Sequence, residues 1–247
     1  MSIEQAAFVA LAGFLAGAIN AVVGSGSLIT FPTLLAIGLP PFTANVTNTV
    51  GIVSGSVSGV VGYRRELRPQ LPRAVRASVP AILGSALGAA LLLTLPQRVF
   101  AFVVPVLVAI AVLLVIFQPQ LNARLAPTET RWAPRLLPFA IFLTAVYGGY
   151  FGAAQGVILM GTFTVLLLDP IQELNALKNL VAAEVNLVAA LVFVFTSQVR
   201  WEVAAVLAVS SVLGGQAGAL LGRRLRPSML RWVIVAAGVV ALVKLLV

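Results

Sequence analysis

From Ala101 to Phe117 the chain has neither a charged nor a hydrogen-bonding side chain, and similar apolar runs recur along the sequence. Wound as a helix at about 1.5 Å per residue, such a run covers most of the roughly 30 Å hydrocarbon core of a bilayer. Inside lipid every backbone amide and carbonyl must be bonded within the protein, which leaves closed helices or closed barrels. The runs lack the polar/apolar alternation of barrel strands. The chain is therefore expected to be an all-α polytopic membrane protein. Its composition agrees, with 60% hydrophobic and 9% charged residues among 247, against about 45–50% and about 25% in soluble domains.

The chain also repeats itself. At an offset of 130 residues Gly26 falls on Gly156, Pro40 on Pro170, Asn45 on Asn175, Gly84 on Gly214 and Gly88 on Gly218. Glycine matches alone mean little in this composition, so the Pro and Asn pairs carry the weight. The repeat divides the chain into an N-terminal transmembrane repeat, 1–117, a polar linker, 118–135, and a C-terminal repeat, 136–247. Each copy holds five apolar segments, near 7–23, 27–37, 43–63, 74–95 and 98–117, then 136–153, 157–168, 173–196, 202–222 and 228–247. The second segment of each copy covers only about half of a bilayer core. The first two segments of each copy are thus expected to form a broken or re-entrant pair.

Charge sets their orientation. Arg64, Arg65, Arg68, Arg73 and Arg76 follow the third segment of the first copy, where the second copy has only Arg200. After the fourth segment the bias swaps, with Arg98 alone in the first copy and Arg223, Arg224, Arg226 and Arg231 in the second. Basic loops stay on the cytoplasmic side, so the copies should be inverted, with the linker (Arg124, Arg131, Arg135) inside and both termini outside the plasma membrane. The net charge of +9 is read in the same way, as an orientation signal and not as a nucleic-acid surface. The N-terminus lacks the basic start of a signal peptide, so the first segment is expected to be retained.

Polar residues mark a site. Gly24, Ser25, Gly26 and Ser27 interrupt the first copy after Asn20, and the run Gly152 to Gly156, with Gln155, interrupts the second. A break followed by a helix start leaves amides without intrahelical partners at the positive end of the helix dipole, an arrangement suited to an anion. On the third segments, Asn45, Thr49 and Ser56 share a face, as do Asn175, Asn179 and Asn186, with Asn48 nearby. These side chains suit either a substrate's lost hydration shell or bonds between helices. Lys178 stands where the repeat has Asn48 and Glu184 where it has Ser54. Lys178 lies within snorkelling reach of the cytoplasmic surface and is a candidate to attract the anion. Glu184 is the deepest formal charge and the candidate proton carrier. Gly51, Gly55 and Gly59, and the pairs Gly84/Gly88 and Gly214/Gly218, are read as helix-packing glycines.

The stretch from Gly13 to Gly51, with Gly13, Gly17, Gly24, Gly26, Pro32, Gly38, Pro40, Ala44, Thr47 and Asn48 in place, resembles the opening signature of the TauE/SafE (TSUP) family of sulfite exporters. Ser27 departs from it where a third glycine is common, and Thr162 stands where Pro32 would be repeated. The resemblance implies a transporter of sulfite, sulfoacetate or related organosulfonates. Beside it, the residues themselves point to a small-anion carrier working by alternating access. The alternatives are an anion channel, an intramembrane enzyme or a scaffold subunit. The enzyme reading has a thin inventory, since the chain has no Cys and no His. No cofactor or metal site is expected, and the partners expected are a small sulfur-containing anion, the lipid bilayer and, as one option, a second copy in a homodimer.

Overall fold

The computed structural model describes residues 1–124, 133–221 and 227–246. Helices are α1 (Ile3–Val22), α2 (Ser27–Ala36), α3 (Pro41–Gly62), a short α4 (Arg64–Leu67), α5 (Leu71–Thr94), α6 (Gln97–Arg124), α7 (Ala133–Tyr150), α8 (Gln155–Leu166), α9 (Ile171–Thr196), α10 (Trp201–Leu221) and α11 (Pro227–Leu246). No strand occurs among the described residues. Five described helices are long and apolar enough to cross a membrane, and large apolar side chains such as Phe102, Phe139, Phe195 and Leu220 face outward. A soluble domain would bury such groups; here lipid covers them. The protein is a polytopic α-helical membrane protein.

Local chemistry sets the ends. Ser2 and Gln5 form a capping box at the start of α1, which satisfies two free amides there. Pro40 and Pro170 precede α3 and α9. Proline cannot continue α2 or α8 through its missing amide, and its fixed φ suits a helix start. The helix α6 continues to Arg124, seven residues past the expected end at 117, because Gln, Leu, Asn, Ala and Arg there are all compatible with a helix and Pro119 removes only its own amide bond. Of the rest of the expected linker, 133–135 already belong to α7 and 125–132 lie outside the described residues, as do Arg223, Arg224 and Arg226 of the charge pattern.

Contacts at the helix ends fix the directions. At one end the Met1 amino group meets Glu202 at 3.3 Å, the Arg200 amide donates to Thr47 Oγ1 at 3.1 Å, and Lys244 shares a cavity with Gly38, Pro41 and Ala101. At the other, Arg73 pairs with Asp169, and Gln70 Nε2 donates to the Glu173 carbonyl at 2.6 Å. Hence α3 and α6 start at the Met1 end and α9 ends there. In the second half α7 and α9 start at the Arg73 end, opposite to α1 and α3. The hairpin α1–α2 enters and leaves at the Met1 end, and α7–α8 does so at the Arg73 end. Met1 and Lys244 lie at the same end.

The packing contacts also recur in pairs. A Cβ on Gly214 or Gly218 of α10 would strike the carbonyls of Phe14 or Ala18 on α1, and one on Gly84 or Gly88 of α5 would strike those of Phe142 or Val146 on α7. These glycines therefore let two helix backbones touch, as small-residue motifs do in lipid. The Ser54 hydroxyl donates to the Ala208 carbonyl at 2.9 Å, and the corresponding pair 130 residues on is Ser78 with Glu184, at 2.6 Å. Asn186 Nδ2 donates to Ser56 Oγ, its own counterpart, at 3.1 Å.

The offset is not uniform. Val23 and Phe151 follow the ends of α1 and α7, and Gly24 (φ 86°) and Gly152 (φ 74°) both adopt the left-handed conformation, which places the two breaks 128 residues apart rather than 130. The match of Gly26 to Gly156 is therefore displaced by two residues in space. The helix α8 absorbs the difference with twelve residues against the ten of α2.

Candidate functional site at the crossing of the two breaks

The two breaks meet. The Gly156 amide donates to the Gly24 carbonyl at 2.9 Å, and a Cβ on either glycine would sit 2.4–2.5 Å from the other's Cα. Only glycine permits this approach, and Gly24 also needs its positive φ. Beside the contact lies a small cavity of about 20 Å³ lined by Asn20, Ala21, Gly24, Ser27, Gly55, Ser56, Gly59, Gly152, Gln155, Gly156, Asn179, Ala182 and Asn186. That volume holds about one water molecule. No charged side chain lines it.

Of the residues predicted to bind substrate, the cavity brings together Asn20, Gly24, Ser27, Gln155, Gly156 and Asn179. Ser25, Gly26, Asn45, Asn48, Thr49, Asn175 and Lys178 do not line it. The expected supply of free amides is smaller than the breaks suggest: the Gly26 amide is taken by Asn20 Oδ1 at 2.7 Å and that of Gly156 by Gly24. The asparagine donors are committed as well. Asn175 and Asn179 each donate to the Ala21 carbonyl at 3.1 Å, Asn45 donates to the Tyr150 carbonyl at 3.0 Å, and Asn48 donates to Ser27 Oγ at 3.3 Å. The bonds of Asn175 and Asn179 serve the carbonyl end of α1 and that of Asn45 the end of α7, while that of Asn48 ties α3 to the start of α2. Thr49 donates to its own helix at the Asn45 carbonyl. Two of the predicted residues keep an unpartnered buried donor: Gln155, 3% exposed, lines the cavity with its Nε2 unbonded, and Ser25, 1% exposed and outside the lining, has an unbonded Oγ.

Lys178 does not snorkel. It is fully buried, with Nζ 3.2 Å from the Asn20 carbonyl and 3.5 Å from that of Ala21. The carbonyl end of α1 attracts the cation more closely than the membrane surface lets it escape. Among the described residues no carboxylate lies within ion-pair distance of it, so a buried amine without an acidic partner stands next in sequence to Asn179 of the cavity wall. Glu184 faces away from the cavity, toward α5. Its Oε1 accepts from Ser78 and its Oε2 has no partner.

Residues 9–245 match the family model described as Sulfite exporter TauE/SafE. The chain belongs to the TauE/SafE family. Among curated proteins, this family member is 28% identical to the "Probable membrane transporter protein ORF9" of Sinorhizobium sp, over 97% of this chain and 92% of the relative. It is 29% identical to a "Probable membrane transporter protein" of Haemophilus influenzae, over 89% and 86%, and 28% identical to YfcA of Escherichia coli, over 94% and 86%. No solved structure shows a significant match. Membership places the chain among membrane transporters and not among enzymes.

Sequence reasoning named Gly152 as part of the second break but left Gly55, Gly59, Ala21 and Ala182 out of the site. Gly55 does pack tightly, against Ser211, whereas a Cβ on Gly59 would meet only ordinary contacts near 3.7 Å. Gly59 therefore keeps the cavity open more than it draws helices together. Helical phase alone, with Gly59 one turn from Ser56, was the signal available.

Proposed function

We propose that the chain is a secondary transporter carrying a small oxyanion, sulfite or an organosulfonate, across the plasma membrane by alternating access between two inverted halves. The observation that carries this reading is the small cavity at the Gly24–Gly156 contact, with the unpartnered Gln155 amide in its wall and the buried Lys178 amine next in sequence to Asn179 of that wall. Neutral donors and a nearby buried cation favour an anion in a low-dielectric site. A cavity for one water is too small for an oxyanion, so admission requires the breaks to separate toward one end or the other, as rocking of one half against the other would do. The arginine-rich Arg73 end is assigned to the cytoplasm, which puts both termini outside.

Glu184 supports a proton-coupled version. The matching position in the other half needs only the Ser54 hydroxyl, so the carboxyl is not required by packing, and its open Oε2 accepts a proton without breaking a bond. Reconstituted protein tested with sulfite, sulfoacetate, sulfate and carboxylate analogues decides the substrate. Counterflow of labelled sulfite is expected; uptake without counterflow would make the protein a channel, and no uptake of any sulfur oxyanion would end the reading. Full pH-gradient-driven uptake in Glu184→Gln would remove the proton carrier alone.

A further inference from the structure

A second cavity, of about 530 Å³, opens at the Arg73 end between the starts of α5 and α7 and the α8–α9 turn. Its polar wall holds Gln70, Arg73, Arg76, Asp169 and Glu173, and its apolar wall includes Leu137, Pro138, Ile141 and Leu167. Arg73 and Asp169 neutralise each other. Arg76 and Glu173 line the same space without an ion pair to any described residue or to each other. Gln70 is 6% exposed and its Oε1 has no donor. The wall therefore offers one free cation, one free carboxylate and one orphaned acceptor, held apart.

The repeat shows that these charges are not a requirement of the fold. Positions 130 residues from Arg73, Arg76, Asp169 and Glu173 are Val203, Val206, Leu39 and Thr43, so the corresponding corner at the Met1 end is built without them. The apolar wall runs on into Val75 and Val79 of α5 and Leu136 and Phe139 of α7, all exposed on the face that lipid covers. A zwitterion whose charges are joined to an acyl tail fits this combination.

We propose that the cavity is a binding site for an aminophospholipid of the phosphatidylethanolamine type. Arg76 takes the phosphate, Glu173 and Gln70 Oε1 take the ammonium, and the acyl chains lie along α5 and α7. Phosphatidylcholine lacks the ammonium donors and phosphatidylglycerol lacks the cation, so both are expected to bind more weakly. The inference is independent of the transport reading, since it uses none of the cavity at the breaks.

Native mass spectrometry of the purified full chain, titrated with phosphatidylethanolamine, phosphatidylcholine and phosphatidylglycerol of equal chain length, tests it. Phosphatidylethanolamine is expected to bind about tenfold more tightly than either, and Arg76→Gln and Glu173→Gln are each expected to remove that preference. Arg98→Gln, exposed at the opposite end, should keep it. Melting temperatures measured without added lipid show whether each variant folds. Equal binding of the three lipids, or an undiminished preference in both folded cavity variants, overturns the proposal. Free phosphoethanolamine binding as tightly as the lipid overturns it too, by removing the acyl contribution.

Discussion

Replacing Gly24 with alanine tests the contact on which the site is built, and its cost can be worked from geometry. The new Cβ would lie 2.5 Å from Gly156 Cα, a backbone atom that cannot rotate away. Overpacking of this kind costs about 1–3 kcal/mol, and holding a non-glycine residue at a left-handed φ adds about 1–2 kcal/mol, so Gly24→Ala should lose about 2–5 kcal/mol. Three other glycines separate the two contributions. Gly156→Ala suffers the clash without the φ strain and should lose about 1–3 kcal/mol. Gly38→Ala has the strain (φ 93°) with nothing within 4 Å and should lose about 1–2 kcal/mol. Gly161, in α8, has open space and no φ constraint, so its alanine variant should gain up to about 1 kcal/mol. At about 2–4 °C per kcal/mol for a chain of this size, Gly24→Ala should melt about 4–20 °C below wild type in detergent, last in the order Gly161, Gly38, Gly156, Gly24. Sulfite uptake by the folded fraction should fall for Gly24→Ala and Gly156→Ala only. A Gly24→Ala protein that melts with Gly161→Ala and transports normally would refute the crossing of the breaks.

Other consequences follow from the same geometry. Gln155→Leu should weaken anion binding about tenfold, the loss of one hydrogen bond to a charged ligand, while leaving the melting temperature nearly unchanged because Nε2 bonds nothing in this structure; titration of both quantities checks this. Lys178→Met should lower anion uptake yet leave stability equal or higher, since a buried, uncompensated charge is costly and Asn175 and Asn179 still serve the Ala21 carbonyl. In this cysteine-free chain, Ser56→Cys with Asn186→Cys should be joined by a short, reducible bifunctional thiol reagent that stops transport until reduced, because the native side chains meet across the two halves at 3.1 Å; failure to cross-link argues against that contact. Single cysteines at Ser2 and at Arg65 should be labelled by an impermeant reagent from opposite faces of the membrane, the first from outside.

Much of the architecture was written in local pattern. Apolar run length identified the helices, and their bounds moved little because Pro40, Pro170 and the glycine breaks act on the backbone within a residue or two. The short second segments were legible for the same reason. The site was legible only in part. Asn20, Gly24, Ser27, Gln155, Gly156 and Asn179 were named from breaks and helical phase, and they do come together. Asn45, Asn48 and Asn175 carry the same signal but are spent on the end of α7, the start of α2 and the end of α1 respectively, a choice that depends on which helix end each one meets.

The chain by itself determined that these residues form membrane-crossing helices in two related sets with interrupted segments, since each of those properties follows from composition, periodicity and backbone restriction at single positions. Only the tertiary structure decided which donors stay free. The two-residue shift between the breaks, the capture of Lys178 by the carbonyl end of α1 and the commitment of the Gly26 and Gly156 amides all arise from contacts between segments more than 100 residues apart or folded back on themselves, and a hydrogen bond already made is not available to a ligand.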